Sequence, residues 1–263
     1  MKKLLVVAHP DDEIIFFSSV IKQVDKVVVC FGPSENKMIT AGRNNIIKRY
    51  PLKKVLWKNI PESNVYQSSN WNKPVITDAG LLVSKNAESY EQNYLRLMEL
   101  LKPHIHDYNE IYTHNPWGEY GHEEHVSVFN AISKLIDTNY QYLYVSSYVS
   151  DRSSKLMSLW SESIQTGIKY ETVPHELCHQ IRDLYIEENC WTWDDEYKWP
   201  KHEALLAIDP KCYSVSCQTH KITASPPVMF LTKSFNFVGL KKFLNLILSK
   251  SLKKKLKKLL HGS

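Results

Sequence analysis

Two dense groups of metal-ligating side chains stand about a hundred residues apart in this chain. The first is His9-Pro10-Asp11-Asp12-Glu13; the second runs His114-Asn115-Pro116-Trp117-Gly118-Glu119-Tyr120-Gly121-His122-Glu123-Glu124-His125. Imidazole and carboxylate together are the donor set of hydrolytic transition-metal sites, which use three protein ligands and keep one position for water. His9 and Asp12 are three residues apart, as are His122 and His125, and residues at that spacing on a helix start share a face. Asp11 is then a spare carboxylate able to take a proton as general base. A simpler reading also fits each group alone. His9 to Glu13 would be a polar turn, with Asp11 or Asp12 as a helix N-cap and Glu13 in the first turn, and His122 and His125 would be surface histidines.

The elements around these groups decide whether they can meet. Leu4 to Ala8 is a short apolar run that reads as a buried strand ending at His9. Glu13 to Gln23 reads as a helix and Lys26 to Phe31 as a second strand, giving a β-α-β unit with a right-handed crossover. Lys37 to Tyr50 reads as a helix, Lys54 to Trp57 as a third strand, and residues 61 to 80 as loop. Glu88 to Lys102 has helical spacing through Tyr90, Tyr94, Leu97, Met98 and Leu101, and Pro103 is expected to end it. Glu110 to Thr113 is a fourth strand that runs into the second group; a helix from Glu123 to Leu135 and a strand from Tyr142 to Tyr148 follow. Alternating strands and helices predict an α/β, Rossmann-like, mostly parallel sheet with helices on both faces. Ligands of such sheets bind at the carboxyl ends of the strands, where both groups lie. Between Asp151 and Tyr213 the pattern is weak, apart from a helix over His175 to Glu188 and an aromatic patch at Trp191, Trp193 and Trp199.

The two groups resemble the signature of the LmbE-like, or PIG-L-like, zinc-dependent N-deacetylases. That family's Ala-His-Pro-Asp-Asp-Glu motif is matched at every position by Ala8 to Glu13. Its Gly-His-x-Asp-His element is matched by Gly121 to His125, with Glu124 for Asp. The resemblance covers about residues 1 to 150. It implies a Rossmann-like fold, His9, Asp12 and His125 as zinc ligands, and Asp11 as the base. It implies His122 as the residue that stabilises the tetrahedral intermediate or protonates the leaving amine, and Tyr120 near the substrate carbonyl. Family members usually follow the first motif with small residues; here Ile14 to Phe17 are bulky, which reshapes the expected pocket. Glu124 reads as a helix-dipole acid or as an orienting partner of His122. His114, Trp117 and Glu119 read as pocket lining or plain loop. Arg43 reads as a sugar or phosphate contact, or as a solvated helix residue.

The rest of the chain bounds these readings. Of its 263 residues 43% are hydrophobic and 23% charged, as in a globular protein, and no apolar run is long enough for a membrane span. The basic-apolar start is too short for a signal peptide, and the five scattered cysteines read as free thiols, so a cytoplasmic location is expected. Eight lysines and no acid lie between Leu240 and Ser263, leaving the remainder at −3 against +5 for the whole. Apolar residues recur there every three or four positions, predicting a C-terminal amphipathic helix, residues 240 to 263, appended to a domain of residues 1 to 239. Such a helix suits an anionic membrane surface at the inner face of the cell membrane, or packs on the body with its lysines solvated. With few aromatics among the lysines, no nucleic-acid partner is expected. The expected activity is removal of acetyl from an N-acetylated amino sugar of the N-acetylglucosamine type, using Zn2+, or iron or cobalt. Two alternatives remain. One is a glycosyltransferase that holds a metal and nucleotide sugar through Asp11 and Asp12; the other is a non-catalytic sugar-binding relative.

Overall fold

A computed structural model describes residues 1–210 and 228–230. The expected membrane helix at residues 240 to 263 lies outside the described residues. Residues 1–193, 197–210 and 228–230 form one unit, which contains the sheet and its helices. Asp194–Glu196 belong to a second, where the Glu196 amide donates to Asp194 Oδ1 at 2.9 Å.

The chain runs β1 (Lys3–Val7), α1 (Asp12–Ile15), β2 (Lys26–Phe31), α2 (Lys37–Arg49), β3 (Val55–Ile60), β4 (Ile76–Thr77), β5 (Gly80–Leu81), α3 (Ala87–Ile105), β6 (Glu110–Thr113) and α4 (Glu123–Leu135). It continues through β7 (Tyr142–Ser146), β8 (Tyr148–Val149), α5 (Ser154–Leu159), a 3-10 turn at Ser161–Ser163, β9 (Ile164–Thr172), α6 (His175–Glu187), β10 (His202–Ile208) and β11 (Met229–Phe230). Seven strands form the central sheet in the order β3-β2-β1-β6-β7-β10-β9. The first five are parallel neighbours; β10 runs antiparallel to both β7 and β9. This is the Rossmann-like, mostly parallel α/β fold that the alternation of elements predicts.

The period of two along β1 divides the core. Leu4, Val6 and Ala8 face one cluster with Leu97, Leu101 and Ile105 of α3 and Val128, Phe129 and Ile132 of α4. Leu5 and Val7 face the other, with Ile14, Ile15, Phe16 and Phe17, Ile46 of α2, and Cys178, Ile181 and Tyr185 of α6. Helices therefore cover both faces, and β1, buried on both, is apolar throughout.

Several local expectations change. The helix expected from Glu13 to Gln23 stops at Ile15 and continues as turns. Buried Glu203 of β10 draws off the Ser18 hydroxyl at 2.5 Å and the Ser19 amide at 2.8 Å, offering this backbone a partner outside the helix. Pro103 does not end α3, because Leu97, Leu101 and Ile105 form one buried stripe that carries the last turn past it. The strand expected from Tyr142 to Tyr148 breaks at Ser147, and β8 pairs with β11 in a separate ladder. Strands β9 and β10 lie where the sequence pattern is weakest.

Candidate functional site

The strand order brings the two groups together. β1 lies beside β6 with Val6 opposite Thr113, and β2 lies on its other side, so the order reverses at β1/β6. The loops leaving β1 and β6 open side by side at that crevice, the ligand site of an open parallel sheet. His9 (6% exposed), Asp11 (2%), Asp12 (3%) and His125 (0%) are buried there, and His122 is half-buried.

Hydrogen bonds assign the tautomer of each ring. His9 Nε2–H donates to Glu124 Oε2 at 2.8 Å, and its Nδ1 stands 3.3 Å from Asp12 Oδ2. His125 Nδ1–H donates to Glu119 Oε2 at 2.8 Å, while its Nε2 has no hydrogen-bond partner and stands 3.4 Å from Asp12 Oδ2. A buried imidazole nitrogen with its lone pair free, its other nitrogen fixed by a carboxylate, is the arrangement of a metal-ligating histidine.

Two triads have donor atoms within 4.8 Å of one another, His9 with His122 and His125, and Asp12 with His114 and His125. In each, one histidine has no lone pair to give. His122 caps α4 by accepting the Glu124 amide at Nδ1 (3.2 Å), so its Nε2 carries the proton. His114 accepts the Ala8 amide at Nε2 (2.8 Å) and donates Nδ1–H to Glu119 at 3.1 Å. His9 Nδ1, the Asp12 carboxylate and His125 Nε2 could hold a divalent cation of the first transition row.

Burial lowers His9, but hydrogen bonds and charge from Asp12 and Glu124 outweigh it and raise the ring to about 10. Burial also opposes the ionisation of Asp12, yet the facing imidazoles of His125, His114 and His9 hold it well below the usual carboxylate range. Asp11 is pushed up to about 8 by burial and by the Asp12 charge, against the pull of Thr192 and Arg43. Burial and the neighbouring rings of His9 and His125 hold His122 well below its ordinary value, so it is neutral. Tyr120, its pKa raised by burial and nearby acids, stays a neutral phenol.

Asp11 sits at φ 93°, a strained conformation for an aspartate, at the turn into α1. Its Oδ2 accepts from the Thr192 hydroxyl (2.6 Å) and amide (3.0 Å). Glu13 holds the turn from behind, taking the Asp11 amide and the hydroxyls of Tyr50 and Tyr185. Phe16, fully buried, packs edge-on to His114, His125 and Trp193 and against Tyr120, so the bulky residues after the first motif form the floor of the site. Tyr66 stacks on His122 with centroids 5.0 Å apart.

Four sequence readings are corrected. His114 and Trp117 are fully buried rather than in an open loop, and the Trp117 indole donates to Tyr148 O at 2.7 Å. Arg43 is not a solvated residue: it is 5% exposed, bonded to Gly32 O and paired with Glu62. The Glu124 side chain orients His9, not His122. The sequence reading missed Thr192, which lies in the segment without periodicity, and it missed that Glu119 joins His114 to His125.

A family profile described as PIG-L, GlcNAc-PI de-N-acetylase, matches residues 4–136, which hold both groups. The chain belongs to the PIG-L family. An uncharacterized protein of Acanthamoeba polyphaga mimivirus is 26% identical over 223 residues, covering 78% of this chain and 80% of that protein. Among solved structures, a zinc-inhibited form of teicoplanin deacetylase Orf2 aligns with a TM-score of 0.49 and 11% identity, over 79% of this chain and 98% of that one. A deacetylase–teicoplanin complex aligns with a TM-score of 0.45 and 9% identity over the same shares. Membership in the PIG-L family makes this chain a deacetylase or related hydrolase. No helix among the described residues is long and apolar enough to cross a membrane.

Proposed function

We propose that this PIG-L protein is a zinc-dependent N-deacetylase that removes acetyl from an N-acetylglucosamine-type amino sugar. The observation that carries this reading is the convergence of His9 Nδ1, Asp12 and His125 Nε2, each histidine fixed by its own buried carboxylate, with Asp11 alongside. Zinc held by these three would acidify a water and polarise the amide carbonyl. Asp11 is the base: Thr192 occupies Oδ2, so Oδ1 is the oxygen left to take the proton. His122 meets the oxyanion as an Nε2–H donor, because its Nδ1 is spent on the α4 cap. Protonating that nitrogen would break the cap, so the leaving amine takes back the proton collected by Asp11. Tyr120, beside Phe16 and Trp193, borders the acetyl end. The lysine-rich residues 240 to 263 would hold the enzyme at an anionic membrane face.

Acetate release from N-acetyl sugars, nucleotide sugars and lipid-linked sugars, with and without chelator, tests this reading. Asp11→Ala should keep zinc and lose turnover, and His125→Ala should lose both. Full activity of His125→Ala at normal zinc content would refute the ligand set.

A further inference from the structure

Helix α6 opens on His175-Glu176-Leu177-Cys178-His179, two histidines four residues apart with a glutamate after the first. One turn of helix sets such a pair on the same face, the arrangement in which two imidazoles can share one metal ion. Leu177 and Cys178 are buried in the core, which leaves His175, Glu176 and His179 on the solvent side, all three exposed. The two rings stand with centroids 6.4 Å apart and planes inclined by 33°. Trp199 supports His179 from one side, the rings meeting edge-on at 5.1 Å. Neither imidazole enters a hydrogen bond or an ion pair among the described residues, so the ring nitrogens of both are uncommitted.

The same spacing serves the helices of hydrolytic zinc sites, but that chemistry takes a third protein ligand. Among the described residues, groups of three potential ligands occur only at the β1/β6 crevice. Helix α6 therefore offers two donors and leaves the other positions of an ion to water. Imidazole suits the late divalent ions of the first transition row, copper being held most tightly. The charges nearby permit a cation. The start of a helix carries partial positive charge, and Glu176 in the first turn offsets it. Arg182, whose guanidinium lies 5.7 Å from the Trp199 ring centroid, is answered by Asp183 at 2.8 Å. A metal about 2.0–2.1 Å from each nitrogen would draw the ring centroids in to roughly 5 Å, a closure that rotation of exposed side chains supplies.

We infer that His175 and His179 form a second metal site, a two-imidazole chelate on the outer face of α6 for a late first-row divalent ion such as Cu2+, Ni2+ or Zn2+. It shares no residue with the crevice and does not depend on the deacetylase reading. Trp199, in contact with His179, is placed to report its occupancy, because bound Cu2+ quenches a neighbouring indole.

The test uses the full-length protein incubated with zinc, as wild type, His175→Asn, His179→Asn and the double variant. Retention on immobilised Cu2+ and equilibrium dialysis against Cu2+ are the readouts, with zinc content measured at the end of dialysis. Zinc released counts copper that entered the crevice; copper bound beyond that count belongs elsewhere. Two rings gripping one ion are coupled, so their losses do not add. Each single variant should leave the column nearly as early as the double, and each should lack the tight Cu2+ equivalent that wild type binds beyond the exchanged zinc. Cu2+ on wild type should quench part of the tryptophan fluorescence and show nitrogen splitting from two imidazoles in its paramagnetic resonance spectrum; both signals should be lost in either single variant. Retention that falls by equal, additive steps in the two single variants would mean two independent rings and overturns the inference. A wild type that binds no copper beyond the exchanged zinc overturns it too.

Discussion

Glu119→Gln keeps side-chain volume and changes one acceptor into a donor at a fully buried position. Oε2 of Glu119 accepts from His125 Nδ1 (2.8 Å) and His114 Nδ1 (3.1 Å), and Oε1 accepts the Asn115 amide (3.0 Å) and the Ser146 hydroxyl. An amide cannot satisfy all four donors. With its NH2 toward the rings, both histidines must move their protons to Nε2; His125 then loses its free lone pair, and His114 opposes the Ala8 amide 2.8 Å away. With its NH2 toward Asn115, a buried donor is left unpaired at about 1–3 kcal/mol. The loss of such a partner typically weakens metal binding by about 10- to 100-fold, or roughly 1.4–2.7 kcal/mol. Competition against a fluorescent zinc chelator reads the affinity. Melting at fixed zinc reads the same loss as reduced stabilisation by the metal. The acid limb should change too. Where the His114 and His125 rings are protonated, their charges and hydrogen bonds overcome burial and lower Glu119 from 4.5 to about 2. Its contribution, about 3 kcal/mol, is therefore present above pH 4.5 and lost as pH falls through 2. Glu119→Gln should lack that limb. A folded Glu119→Gln protein that binds zinc within about threefold of wild type would refute the tautomer argument.

Thr192→Val removes the 2.6 Å hydroxyl bond to Asp11 and keeps the amide bond. Turnover should fall about tenfold at unchanged zinc content, with Thr192→Ser restoring it, as steady-state kinetics and metal analysis would show. Glu123→Gln disturbs a carboxylate that gathers the Gln67, Ser68 and Ser69 amides and the Trp71 indole. It should cost roughly 2–4 kcal/mol in urea unfolding and expose residues 61–75 to limited proteolysis. Burial raises Glu13 from 4.5 to about 7 despite its two tyrosine partners. The native state therefore holds the extra proton, and this group's contribution to stability falls as pH rises from 4.5 to 7. Glu13→Gln should flatten that slope in unfolding titrations at pH 5 and pH 8; an unchanged slope would place the effect elsewhere.

The parallel half of the sheet was legible in the chain alone, because the apolar runs of β1, β2 and β6 and the stripe along α3 are local patterns. The pairing of His9 with Asp12, and of His122 with His125, was legible too, since spacing within a turn fixes which side chains are neighbours. Long-range packing supplied the rest. β10 brings Glu203, which cuts α1 short, and the loop between α6 and β10 brings Thr192 to Asp11; both contacts join residues far apart in sequence. Which histidine nitrogen keeps a lone pair was likewise invisible, because it depends on what touches the opposite nitrogen. Glu124 lies one residue from His125 in sequence, yet it serves His9 across the crevice, since α4 turns its side chain toward the end of β1. Spacing names the candidate ligands; only the packing of β1 beside β6 gives each a proton or a lone pair.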